Sequence, residues 1–387
     1  MMDTDAAQSA RRVINEAAPD LIALSEAIHA SPELSFEEHV SARLCIDFLT
    51  SRGFSVTSPF CGMDTAFDAV FGSGDLHIAF LAEYDALPGV GHACGHNLIA
   101  ASSLGAGLGL AAVADVLGVT VHIMGTPAEE GGAGKVLILD RGGFDGIHAS
   151  LMVHPWSFDQ LESACLAVEH FDVSFTGRTA HASAAPWQGL NAGDAMTLSQ
   201  VAIGLLRQQL PAGDQIHGVV TNGGEAANVI PSLVTARYMC RSTSAERLSA
   251  LMPRVEACFQ AGALATGCEL SMEKISPAYT HMEQDADLLS LYAKHARAQG
   301  RSFERDDSGA PLPTYSTDMA NVSLAMPAIH PLIDIKTHGA VNHQPEFTDA
   351  CLGPDAERAL LDGACSLASV GADAASDPAI RERLLRR

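Results

Sequence analysis

Basic residues are scarce in this chain: 23 lysines and arginines face 46 aspartates and glutamates, a formal net charge of -23 with histidine neutral. A surface of that sign repels phosphate backbones and anionic lipid, which argues against nucleic acid or a membrane face as a partner. Long apolar runs are missing as well. No stretch approaches the ~18 consecutive apolar residues of a bilayer-spanning helix. Met1 to Ala10, with Asp3 and Asp5, lacks the basic-then-apolar order of a signal peptide, so the expected location is the cytoplasm. Paired cysteine spacings are absent too: the nine cysteines are odd in number and scattered, unlike a disulfide framework or a zinc ribbon. Most are read as buried free thiols. Low complexity is confined to a short Ala/Asp-rich patch near the C-terminus.

What is present is a chain of 387 residues, longer than one hydrophobic core usually supports, so two domains are expected. Residues 21–28 and 40–50 carry helical spacing of apolar residues. Residues 66–71, 76–82 and 120–124 read as short buried strands, and the Ala- and Gly-rich stretch 97–117 suits a helix lying closely on a sheet. That alternation predicts an α/β domain: a mixed, mostly parallel sheet flanked by helices. From about residue 166 the texture changes. A strand (168–175), a helix (192–209), two strands (216–221 and 233–241), a helix (245–265) and a strand (268–275) predict an inserted α+β module with an antiparallel sheet. A helix (287–299), a strand (328–333) and a terminal helix (354–370) then complete the first domain. The expected division is 1–165 with 278–387 for one domain and 166–277 for the other.

Chemistry concentrates just after the strands, where open α/β sheets bind their ligands. The densest run is Glu83-Tyr84-Asp85-Ala86-Leu87-Pro88, then Gly91-His92-Ala93-Cys94-Gly95-His96-Asn97. Thiolate and imidazole two residues apart can ligate zinc or a neighbouring transition metal, although a lone Cys-x-His is as readily a buried thiol beside a structural histidine. The strand 120–124 runs into Pro127-Ala128-Glu129-Glu130-Gly131-Gly132. Adjacent carboxylates in a buried turn repel each other and are costly to desolvate, so either the turn is exposed or the pair does chemistry, one binding metal and one holding a water. His154 ends the segment 150–153, and a late stretch offers His338 and His343. Each of these alone would be structural as easily as functional. In the inserted module the loop Gly177-Arg178-Thr179-Ala180-His181-Ala182-Ser183 carries a histidine able to donate to a developing oxyanion. Arg241 or Arg178 could receive a substrate carboxylate, or be no more than a solvated charge. The apolar loop 311–318 reads as pocket lining.

Taken in this order, the segments resemble the dinuclear metallopeptidase family of aminoacylases, glutamate carboxypeptidases and succinyl-diaminopimelate desuccinylases. Within it, Ala82-Glu83-Tyr84-Asp85-Ala86-Leu87-Pro88 followed by Gly91-His92-Ala93-Cys94-Gly95-His96-Asn97 is most similar to the amidohydrolase branch of p-aminobenzoyl-glutamate hydrolases, β-alanyl dipeptidases and indole-acetyl-amino-acid hydrolases. The resemblance implies a zinc exopeptidase-like fold with a ferredoxin-like lid and dimerisation module, and a homodimer. It implies two divalent ions, zinc, manganese or cobalt, held by Cys94, His96, Glu130, His154 and His343, with Cys94 bridging. His343, in His-Gln-Pro-Glu-Phe, is preferred to His338. Glu129 would be the general base toward a metal-bound water, Asp85 would orient a ligand histidine, and His181 would serve the partner subunit's site. Asn228 would help hold the substrate. The implied reaction is hydrolysis of the amide bond of a small N-acyl amino acid or dipeptide. Two departures stand out: much of the wider family has His-x-Asp where this chain has Glu83-Tyr84-Asp85, and aspartate in place of Cys94. Two rival readings remain, a hydrolytic deaminase of an aromatic amine on the same site and a non-catalytic binding protein.

Overall fold

Strand β3 shows why the sheet is buried on both faces: in Leu76-His77-Ile78-Ala79-Phe80-Leu81-Ala82 every side chain but that of His77 is buried. Such near-continuous apolar runs mark parallel strands covered by helices. The computed structural model describes residues 5–309 and 312–386. Along the chain the strands are β1 (Ser55–Thr57), β2 (Phe67–Phe71), β3 (Leu76–Ala82), β4 (Val119–Gly125), β5 (Ala149–Leu151) and β6 (His154–Trp156). They continue with β7 (Ala167–Thr176), β8 (Gln215–Asn222), β9 (Leu233–Ser242), β10 (Glu269–Lys274), β11 (Ala328–Ile329) and β12 (Leu332–Asp334). The chain divides into two compact units: residues 1–163, 282–313 and 317–387, and residues 164–281 with 314–316.

The first unit holds a six-stranded sheet in the order β1-β2-β4-β3-β5-β11. The four strands from β4 to β11 run parallel, while β1 and β2 form an antiparallel edge. Helix His96–Ala111 fills the crossover from β3 to β4 and is buried on almost every side, as a core helix must be. Its glycines set how closely it lies on the sheet: a Cβ on Gly107 would come within 2.3 Å of the Ile123 side chain in β4. The expected single helix 97–117 is in fact two, His96–Ala111 and Ala114–Leu117. The break falls where Val113 leaves helical geometry at φ -122° and buries its side chain. The expected strand 328–333 is likewise split. Pro331 has no N–H to offer a ladder, so β11 pairs with β5 while β12 pairs with β6. The terminal helix runs on to Ser376, and Asp377 then caps the following helix by accepting from the Ala379 and Ile380 amides. Helix Asp5–Glu16 was not anticipated.

The second unit follows the order strand, helix, strand, strand, helix, strand, with a wholly antiparallel sheet arranged β10-β7-β9-β8. Along β7 burial alternates, so one face packs against helices Ala192–Leu206 and Ala245–Thr266. Asn191 and Ser244 cap those helices through their side-chain oxygens, and Gly267 closes the second in left-handed geometry. Phe171, Phe175, Tyr238 and Phe259 form its core with ring centroids 5.1–6.4 Å apart. No helix among the described residues is long and apolar enough to cross a membrane.

Candidate metal centre

Loops leaving β3, β4 and β5 at their carboxyl ends converge on one buried cluster in the first unit. After β3 the chain turns through Glu83, Tyr84 and Asp85, all buried, and reaches Cys94 and His96. Between them Gly95 adopts φ 78°, and a Cβ there would lie 2.9 Å from Pro155, so only glycine lets the chain reverse at this point. His96 opens the buried helix, and its Nδ1–H donates to Asp85, 2.9 Å from the backbone oxygen and 3.0 Å from Oδ1. Asp85 also accepts from the Ser35 hydroxyl at 3.2 Å and the Glu130 amide at 2.9 Å. Its carboxyl is buried, which opposes ionisation, but the charge and hydrogen bond of His96 outweigh this and hold it below the usual carboxylate range. The other imidazole nitrogen, Nε2, is left facing Glu83 at 3.4 Å and Glu129 and Glu130 at 3.9 Å each.

The β4 loop bends inward at Ala128, whose φ is 60° and whose amide donates to Glu38 Oε1 at 2.8 Å. That bend places Glu129 and Glu130 against His96. Burial, followed by the charges of Glu83, Glu130 and Asp318, pushes Glu129 well above the usual carboxylate range. From the β5 side His154 donates Nδ1–H to the Pro155 carbonyl at 2.8 Å, and its Nε2 lies 3.5 Å from the Cys94 sulfur. His343 has left-handed geometry at φ 71°, its amide donates to the Ala93 carbonyl at 2.8 Å, and its Nε2 lies 3.7 Å from Glu130.

Cys94 is common to two donor triads, Cys94/His96/His154 and Cys94/Glu130/His343, each with its donor atoms within 4.8 Å of one another. His338 is exposed and joins neither. The residues fit divalent ions. His96 Nε2 and Glu130 Oε1 are buried without a hydrogen bond. Burial and Glu130 push the Cys94 thiol well above its ordinary value, so a thiolate there needs a cation beside it. A mixed sulfur, nitrogen and oxygen set suits zinc, cobalt or manganese.

Sequence reasoning missed three buried participants. Lys135 lies with Nζ 2.5 Å from Glu83 and 2.6 Å from Asp318, and nothing near it in sequence announces a partner in the segment after residue 311. Glu38 has its pKa raised to about 7 by burial and then by Asp85. His330, its ring 5.3 Å from that of His154, is lowered to about 4 by burial. Of the loop read as pocket lining, Pro311 lies outside the described residues.

In the second unit His181 and Asn228 are exposed neighbours: the Ala182 amide donates to the Asn228 carbonyl at 3.0 Å, and His181 bridges to Val229. The Ser183 and Ala184 amides both point at His181 Nδ1, which places its proton on Nε2. Arg241 donates to the Ser316 hydroxyl at 2.6 Å, and exposed Arg178 to the Gln188 carbonyl at 2.6 Å.

Acid, imidazole and thiol gathered at the carboxyl ends of parallel strands define a hydrolytic α/β enzyme, an amidohydrolase or peptidase. The chain belongs to the peptidase family M20/M25/M40, whose model matches residues 67–360. It is 37% identical over 383 residues to a mouse (Mus musculus) Xaa-Arg dipeptidase, spanning 95% of this chain and 89% of that protein. One of the subunits of the p-aminobenzoyl-glutamate hydrolase of Escherichia coli (strain K12) is 32% identical over 264 residues, 63% of this chain and 55% of its own. Among solved structures, a putative aminohydrolase from methicillin-resistant Staphylococcus aureus superposes with a TM-score of 0.76 at 19% identity, covering 96% of this chain and 99% of its own. A Bacillus subtilis dinuclear metal binding peptidase of the M20 family superposes with a TM-score of 0.67 at 19% identity, covering 92% and 99%.

Proposed function

We propose that this protein hydrolyses the amide bond of a dipeptide or a closely related N-acyl amino acid. Its centre would be two divalent ions held by Cys94, His96, Glu130, His154 and His343. The observation that carries this reading is the pair of imidazoles that each spend Nδ1 on a fixed acceptor and turn Nε2 toward Cys94 or the paired glutamates. Metal-bound histidines are oriented in this way by the groups behind them. Cys94 is the residue common to both triads.

When bound, the two ions would polarise the substrate carbonyl and make water acidic enough to attack it at neutral pH. Glu129 takes the proton of the attacking water and returns it to the leaving amine nitrogen. Its carboxyl stands beside the proposed ion position, 3.9 Å from His96 Nε2. Asp85 keeps His96 in the tautomer that presents Nε2. In the second unit, His181, with its proton on Nε2, would donate to the developing oxyanion in the partner subunit's site, while Asn228 would help hold substrate and Arg241 would receive a substrate carboxylate. The same unit exposes Leu198, Val201 and Leu205 on one helix and Val219 and Val220 on edge strand β8, surface that suits a second copy of the chain.

The test is amino-acid release from dipeptides ending in arginine or lysine, from N-acyl amino acids and from p-aminobenzoyl-glutamate. Metal-stripped protein is assayed with zinc, manganese or cobalt restored. Release with a metal, lost in Glu129→Gln, is the expected result. Ammonia without amino acid would replace this reading with deamination, and release unaffected by chelation would end the metal assignment.

A further inference from the structure

Lys135 is fully buried, and its ammonium pairs with Glu83 and Asp318, two members of a carboxylate cluster that Glu129 completes: the three each place an oxygen within 4.8 Å of the other two. Nζ is 2.5 Å from Glu83 Oε1 and 2.6 Å from Asp318 Oδ1, and the Lys135 amide donates to the second Asp318 oxygen at 2.9 Å. The other Glu83 oxygen lies 3.4 Å from His96 Nε2, the nitrogen assigned to an ion. Glu83 therefore stands between two cation positions, and its geometry alone suits it to either. A buried carboxylate cage is strongly unfavourable without positive charge inside it. In this chain a lysine supplies that charge.

We propose that Lys135 is a positioning residue that acts as a resident cation. By filling the Glu83/Glu129/Asp318 cage it withholds those carboxylates from divalent ions and confines metal binding to the cysteine, histidine and Glu130 set. The proposal takes its neighbours from the metal-centre reading. Its test is a difference between variants, whereas the absence of ions from wild type would strike only that reading.

The experiment compares wild type, Lys135→Met and the double variant Lys135→Met/Asp318→Asn. Each is metal-stripped, dialysed against manganese chloride and analysed for manganese per chain, with folding followed by circular dichroism. Lys135→Met should hold one more manganese ion per chain than wild type, and the double variant should return to the wild-type number. Equal numbers in wild type and folded Lys135→Met overturn the proposal, as does a gain that persists in the double variant. If metal-stripped Lys135→Met is unfolded, manganese should refold it, and its failure to do so overturns the proposal equally. A merely structural lysine would leave the ion count unchanged.

Discussion

Two histidine clusters occupy opposite ends of the same parallel sheet, and they spend their ring nitrogens differently. Toward the amino ends, His77 Nδ1 meets His122 Nε2 at 3.0 Å, His122 Nδ1 meets Asp68 at 3.1 Å, and the His77 amide donates to His148 Nδ1 at 3.0 Å. There the imidazoles bond to one another and to Asp68, and among the described residues they form no group of three donors that could hold an ion. At the carboxyl ends His96 and His154 are anchored from behind by Asp85 and a backbone carbonyl, and their remaining nitrogens face a thiol and paired glutamates. Histidine content is thus a poor guide to a site. Which nitrogen is already spent, and on what, separates a hydrogen-bonded relay from a ligand set.

That contrast can be attacked from the catalytic end first. Glu129→Gln should lower turnover by about 10²–10⁴-fold, the range for a lost general base, while leaving manganese content unchanged; near-normal turnover would remove Glu129 from its role. Asp85→Ala, which takes away the carboxylate behind His96 and leaves it only the backbone oxygen, should weaken metal binding by about 10–100-fold, read by competition with a chelator, and equal affinity would reduce Asp85 to a packing role. Stripping the ions should lower the midpoint of thermal unfolding, since a ligand at a hundred times its Kd contributes ~2.7 kcal/mol to the folded state. An unmoved midpoint on restoring zinc, manganese or cobalt would argue that the cluster holds no ion.

The amino-end cluster should respond to pH instead. Burial first, then the His122 and His148 imidazoles, hold His77 below its ordinary 6.5. Below about pH 6.5 the unfolded chain binds a proton at this position that the folded chain resists, so this contribution to stability is lost as pH falls from 7 toward 5. His77→Gln should flatten that decline in a denaturant series and leave turnover at pH 7 intact. A loss of turnover would mean the two clusters are not independent.

Much of this was legible in the chain because its signals are local. Parallel strands buried on both faces read as continuous apolar runs, and the Cys94, His96 and Glu129-Glu130 motifs follow those runs directly. The antiparallel module showed itself by its order of strand, helix, strand, strand, helix, strand. What stayed hidden depends on distant segments. Lys135 reads as an ordinary helix-start lysine until Asp318 closes on it, and Glu38 looks like a surface acid until the Ala128 amide needs an acceptor. The split at Pro331 could have been anticipated from its missing N–H. The break at Val113 could not, because the competing force is burial against the core.

The close seat of Gly107 on Ile123 has a further consequence, because it works as a gauge for the site. There the helix whose first residue is His96 sets its bare backbone on the Ile123 side chain of the strand that leads into Glu129 and Glu130, roughly three helical turns from the chemistry. The spacing between imidazole and carboxylates is therefore fixed remotely, by two rods pressed together. A single added methyl, Gly107→Ala, would wedge them apart, and a displacement of about 1 Å at reacting groups can cost on the order of 10²-fold in rate. The tolerance of the whole site would then be measured by the width of one hydrogen atom on a residue that never meets the substrate.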